Sequence, residues 1–136
     1  MELFDGEWAF RWALAIRESE GYRQAGATWR QAIALEVIED GRSRAVWADL
    51  FEGTCREARE ASPEDLASAP VVLSGERAVW DDLVAGRQDA LVALMSGRLR
   101  VGRGSLFALM PYAQAAKELV LAARRASTTT TAQEEA

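Results

Sequence analysis

The residues able to do chemistry in this sequence are few and poorly matched. Histidine is absent, which removes the usual general base, the usual triad member and the commonest zinc ligand. Ser74 and Ser96 are candidate nucleophiles, but either would need an unusual base such as the single lysine, Lys117. Adjacent carboxylates occur at Glu64-Asp65 and Asp81-Asp82. Neighbours on a helix point in different directions, so neither pair shares one site, and both read as surface charge. The remaining enzymatic reading is a carboxylate desolvated inside a cavity, Glu36 or Asp49, and it requires one of them to face that cavity. Cys55 is the only cysteine and can form no internal disulfide; with Arg56 and Arg59 near it in sequence its thiol would be activated only modestly, and it reads as incidental.

Anion chemistry has two candidates. Strand alternation would bring Arg98, Arg100 and Arg103 onto one side, where they could hold a carboxylate, a phosphate or the surface of an anionic membrane. A solvated strand face is the plainer explanation. Gly102-Arg103-Gly104-Ser105 ahead of a helix has the outline of a phosphate cradle, but it lacks the third glycine of a dinucleotide fingerprint and the Gly-Lys-Ser/Thr of a P-loop. A net charge of −5 opposes general nucleic-acid binding, because backbone affinity comes from many cations. No nucleic acid, metal or cofactor is expected.

The elements that must position these groups belong to one domain, since 136 residues with 49% apolar and 27% charged content suit one ordinary core. Charges interrupt every apolar stretch and the start lacks a secretory pattern, so a cytoplasmic location is expected. Phe4, Trp8, Trp12, Ala15 and Ile16 form a helical stripe from about Leu3 to Glu20, with Asp5 as N-cap. Trp29 to Glu39 alternates with the period of a strand, placing Ile33 and Leu35 on one face and Glu36 toward solvent. Asp40-Gly41 then predicts a hairpin to a second strand over Arg44 to Glu52. Residues 54–69 read as a polar connection with a short helical turn capped at Ser62-Pro63.

Pro70 to Ser74 suits a strand, and Ser74-Gly75-Glu76 opens a helix carrying Val79, Trp80, Leu83 and Val84 to a stop at Gly86. A second short helix, Gln88 to Ser96, ends at Gly97 and leads into a strand over Leu99 to Val101. A last helix from Ser105 to Arg125 should break or kink at Pro111. The expected domain is 1–126, with 127–136 a disordered tail. The plan is α+β: a mainly antiparallel sheet covered by helices on one face.

Val-Leu-Ser-Gly at 72–75, then Trp80, Leu83, Gly86, Asp89, Ala93, Met95 and Gly97-Arg98-Leu99-Arg100-Val101, together resemble the family of sterol carrier protein type 2. Asp40-Gly41 and Asp49-Leu50-Phe51-Glu52-Gly53 are similar to that family's turn and strand end, and the likeness spans about residues 29–121. Gly102-Arg103-Gly104 departs from the usual turn into the last helix, and the end Glu-Glu-Ala differs from a peroxisomal Ser-Lys-Leu. The resemblance implies a five-stranded sheet packed on helices around an apolar tunnel that carries fatty acyl chains, sterols or other lipids without covalent chemistry. It implies ligand-binding positions at Ile33, Leu35 and Trp47 on the strands, and at Trp80, Leu83, Leu91 and Met95 on the helices that follow. Leu99, Leu106 and Met110 complete the expected wall.

For each tryptophan, and for Met95, Leu99, Leu106 and Met110, core packing competes with ligand contact. The alternative function is a non-catalytic assembly or accessory module, using the helix from Ser105 and the Trp8/Trp12 stripe to dimerise or to partner an enzyme. Expected partners are a lipid or hydrophobic small molecule, with transient membrane-surface contact and a homodimer as further options.

Overall fold

The computed structural model describes the backbone of residues 2–135 and the side chains of residues 2–105 and 107–127. The chain runs α1 (Gly6–Arg17), α2 (Glu20–Ala25), β1 (Ala32–Glu39), β2 (Arg42–Phe51), β3 (Thr54–Glu60) and α3 (Pro63–Ser68). It continues with β4 (Val71–Glu76), α4 (Arg77–Ala85), α5 (Ala90–Ser96), β5 (Leu99–Arg103), α6 (Leu106–Leu109), a 3-10 turn (Met110–Tyr112) and α7 (Ala113–Glu135).

Two left-handed turns fold the first three strands into a meander. Asp40 and Gly41 have φ of 52° and 76°, the pair of positive values that a two-residue hairpin demands. Glu52 and Gly53 repeat the device at 49° and 87° and create β3 where the sequence suggested only a polar connection. That stretch is polar because β3 is an edge strand with a single buried side chain, Cys55; charges along an edge also discourage pairing with other chains. A Cβ on Gly53 would lie 2.6 Å from the Arg23 carbonyl oxygen, so the turn is also a point of close backbone approach.

The sheet order is β3-β2-β1-β4-β5. All neighbours are antiparallel except β1 and β4, which run parallel with Leu35 opposite Leu73. A shift of register between Val72 and Leu73 sets Arg103 opposite Val72 while Arg100 stays opposite Ser74. Arg100 and Arg103 therefore share a face, but through the bulge at Gly102 and not through the expected alternation, which by itself would set them on opposite sides.

The inner face, carrying Ile33, Leu35, Val46, Leu50 and Leu73, shares one core with α1, α4, α5 and α7. Phe4 meets Trp8 and Trp80 edge to face at centroid distances of 4.9 and 5.1 Å, and Trp8 lies 5.6 Å from Trp12. The outer face holds a smaller cluster of Ala34, Ala69 and Val72 with Trp47 and Leu66, so α3 sits on the face opposite the other helices.

Local signals explain the helix ends. Asp5 accepts from the Trp8 amide as the expected N-cap, but α1 stops at Arg17 and a new cap, Ser19, starts α2 through Gly21. Ser74 and Gly75 stay in β4, and α4 begins at Arg77. Gly86 and Gly97 end α4 and α5 in left-handed conformation, and Pro111 divides the last helical segment. The backbone of α7 continues to Glu135. The expected tail over 127–136 lies, beyond Ser127, outside the residues whose side chains are described; the Ser127 hydroxyl accepts from Trp8 Nε1 at 3.1 Å.

Candidate ligand-binding site

A cleft of about 390 Å³ opens where the chain enters β1 and β4 and leaves β5. Thr28, Trp29, Arg30 and Gln31 supply one wall, Pro70 and Val71 a second, and Ala108, Leu109 and Tyr112 the third. Its frame is local. Trp29 Nε1 donates to the Gln31 carbonyl at 2.6 Å, and the Trp29 ring meets Tyr112 edge to face with centroids 4.8 Å apart. Thr28 Oγ1 donates to Tyr112 Oη at 3.3 Å. The entrance is polar, with Arg30, Gln31 and Ser105 on its rim, and Val71, Ala108 and Leu109 make the wall apolar.

Behind Leu109 lies a second cavity of about 60 Å³, walled only by Leu91, Leu94, Met95, Leu109, Met110 and Ala113. Leu109 lines both spaces. Leu109, on the four-residue helix α6, is thus the one residue common to the linings of the polar-mouthed cleft and of the wholly apolar chamber.

The ten residues expected to bind ligand divide into groups. Leu91, Met95 and Met110 come together around the chamber. Ile33, Leu35, Trp80, Leu83 and Leu99 are fully buried in the core and line neither space. The physical reason is that Phe4, itself packed against Trp8, fills the volume beside Trp80, whose Nε1 also donates to the Glu36 carbonyl at 2.8 Å. Trp47 sits on the outer face, half-buried, with the Arg59 guanidinium 4.1 Å from its ring. The side chain of Leu106 lies outside the described residues. Thr28, Val71, Ala108, Leu109 and Tyr112 were not read as site residues. Proline at 111, which forces the break carrying Leu109 and Tyr112 inward, was the available signal.

The groups considered for catalysis lie elsewhere. Glu36 and Asp49 both belong to the outer face: Glu36 Oε1 accepts from Ser74 Oγ at 3.1 Å, and Asp49 pairs with Arg56 at 3.0 Å. Ser96 Oγ donates to the Ala93 carbonyl, and Lys117 Nζ lies 3.9 Å from Asp89. Burial pushes the Cys55 thiol up to about 11, so the adjacent arginines do not activate it. Asp81 pairs with Arg77, whereas Asp82 takes Arg87 and Arg98, the divergence expected of helical neighbours. Ser105 Oγ accepts from the Phe107 and Ala108 amides at 3.1 and 3.3 Å, occupying donors a phosphate would need. Arg103 Nη1 donates to the carbonyls of Leu66, Ala67 and Ala69 and closes the end of α3. Among the described residues no cluster of three or more metal-ligating side chains occurs, and no helix is long and apolar enough to cross a membrane.

No family model matches the sequence, and no curated protein matches it. Solved structures do. A crystal structure of sterol carrier protein 2 is 41% identical over 90% of this chain and 98% of its own, with a TM-score of 0.83. The solution structure of a conserved hypothetical protein from Thermus thermophilus, described as possibly a sterol carrier protein, is also 41% identical, over 93% of this chain and 90% of its own, at 0.81. The Aedes aegypti sterol carrier protein 2 in complex with a C16 fatty acid shares the fold at 18% identity and a TM-score of 0.51, over 84% of this chain and 98% of its own. With two fifths of its residues shared along nearly the full length of a sterol carrier protein 2, and with the five-stranded sheet and helix order described above, the chain belongs to the sterol carrier protein 2 family.

Proposed function

We propose that this protein binds and carries a hydrophobic ligand with a polar end, a fatty acyl chain being the best fit, without acting on it chemically. The observation that carries this reading is the shared wall at Leu109: a cleft of about 390 Å³ with a polar rim meets a wholly apolar chamber of about 60 Å³. The cleft falls in the size range of small-molecule sites, roughly 300–1,000 Å³. Arg30, Gln31 and Ser105 suit the polar end, and the apolar tail would pass Leu109 toward Met95 and Met110. The chamber is too small for a chain at rest, so entry requires Leu109 and α6 to move outward; α6 is a single turn with little surface to hold it. Palmitate in the Aedes aegypti relative supports the ligand class. The catalytic reading needs Glu36 or Asp49 in the cavity, and both face away from it.

Titration of the purified chain with a fluorescent fatty acid tests this reading. Saturable binding is expected, with affinity falling about tenfold or more in Ala113→Phe, which fills the apolar chamber. Absence of saturable binding of fluorescent fatty acid and acyl-CoA alike, or unchanged affinity in a folded Ala113→Phe, would overturn it.

A further inference from the structure

Arg30 is the one charged side chain among the described residues that line the cleft, and it is already engaged. Its guanidinium pairs with the Glu52 carboxylate at 2.5 Å and lies 5.8 Å from the centroid of the Phe51 ring. Neither Glu52 nor Phe51 lines the cleft, so both contacts draw the cation toward the end of β2 and away from an incoming head group. The positive charge at the mouth is thereby balanced within the fold.

Glu52 is fixed in place by the backbone. It opens the left-handed turn between β2 and β3 with φ of 49°, and its amide donates to the Trp29 carbonyl at 2.8 Å. That bond joins the turn to the residue before Arg30 and brings the carboxylate within reach of the guanidinium. The other polar groups at the mouth carry no charge. Thr28 Oγ1 is committed to Tyr112 and Trp29 Nε1 to the Gln31 carbonyl, which leaves the Gln31 side-chain amide and the Ser105 hydroxyl. Both can donate to a carboxylate, an ester or an alcohol alike.

A ligand carboxylate entering here must either take Arg30 from Glu52 or share it, and sharing brings two like charges to one cation. An ester or an alcohol meets neither cost. We infer that Glu52 determines the head-group preference of the cleft: by holding Arg30 it weakens the binding of acids and lets uncharged acyl esters and alcohols compete with them. The inference deepens the carrier reading and rests on it. Exposure bounds its size. The Arg30 and Glu52 side chains are 66% and 43% exposed, and solvent-screened pairs of this kind are worth at most about fivefold in an equilibrium.

The test compares a fluorescent fatty acid with its methyl ester, each titrated into the full chain at neutral pH, where the acid is ionised. Glu52→Gln removes the charge and keeps the backbone bond to Trp29. It should raise affinity for the acid about three- to fivefold and leave the ester unchanged. In an Arg30→Gln background the same substitution should alter neither, because no cation remains to be released. Unchanged acid affinity in Glu52→Gln, an equal gain for the ester, or a gain that persists without Arg30 would each overturn the role of Glu52 while leaving the carrier reading in place. A parent that binds neither probe would sink the carrier reading, and this inference with it.

Discussion

Trp29 and Tyr112 meet edge to face, with centroids 4.8 Å apart and planes at 88°, and this contact ties the turn after α6 to the chain entering β1. The pair stands where the proposed ligand would pass, so it holds the cleft's third wall in place. An edge-to-face pair contributes about 0.5–1.5 kcal/mol beyond burial. Tyr112→Ala should therefore lower stability by only about 1–2 kcal/mol while amides of residues 106–112 exchange faster than in the parent. Hydrogen exchange resolved by segment measures this; protection unchanged over that segment would show that the pair does not restrain α6.

Trp80 makes the opposite prediction. Its ring is fully buried against Phe4, and its Nε1 donates to the Glu36 carbonyl at 2.8 Å. Trp80→Ala should cost about 3–5 kcal/mol in urea unfolding, as for other large core deletions. Trp80→Phe keeps most of the packing and should lose about 1–2 kcal/mol, the hydrogen bond and some volume. Fatty acid affinity in folded Trp80→Phe should stay within about twofold of the parent, because a ring outside the cavity contributes no contact energy to a ligand. A large loss of affinity with little loss of stability would return Trp80 to the ligand wall.

The contrast between these residues shows what was readable in the sequence. Periodicity located the helices around Trp12 and Trp80, and Asp40-Gly41 fixed the first hairpin because positive φ is a local demand that few residues meet. β3 escaped notice because an edge strand buries little and shows no apolar alternation; its only local mark was Glu52-Gly53. The core-lining pattern identified Ile33, Leu35, Leu83 and Leu99 as inward-facing, but inward is not the same as cavity-lining. Which inward residues face a void depends on what fills the space opposite, and Phe4, backed by Trp8, reaches Trp80 from far along the chain. Leu91 and Met95 on α5 share the chamber with Met110, which adjoins the break at Pro111 between α6 and α7.

Arg59 and Asp65 lock the end of β3 to the start of α3, and their pairing predicts a pH dependence. Arg59 Nη2 and Nε donate to the two Asp65 oxygens at 2.8 and 3.1 Å, and the Ser62 amide donates to Oδ2 at 3.0 Å. The Arg59 hydrogen bonds, followed by that amide, hold the Asp65 carboxyl well below the usual carboxylate range. A depressed folded pKa contributes stability that is present above the unfolded value, about 3.9, and is lost as pH falls toward the folded one. Because the Arg59 side chain is 46% exposed, solvent screening limits the contribution to about 1 kcal/mol or less. Asp65→Asn keeps an oxygen for the cap but not the charge. It should be less stable than the parent at pH 7, and urea unfolding at pH 3 should show the gap between the two narrowing. An equal gap at both pH values would mean that the charge on Asp65 is not what joins α3 to the sheet.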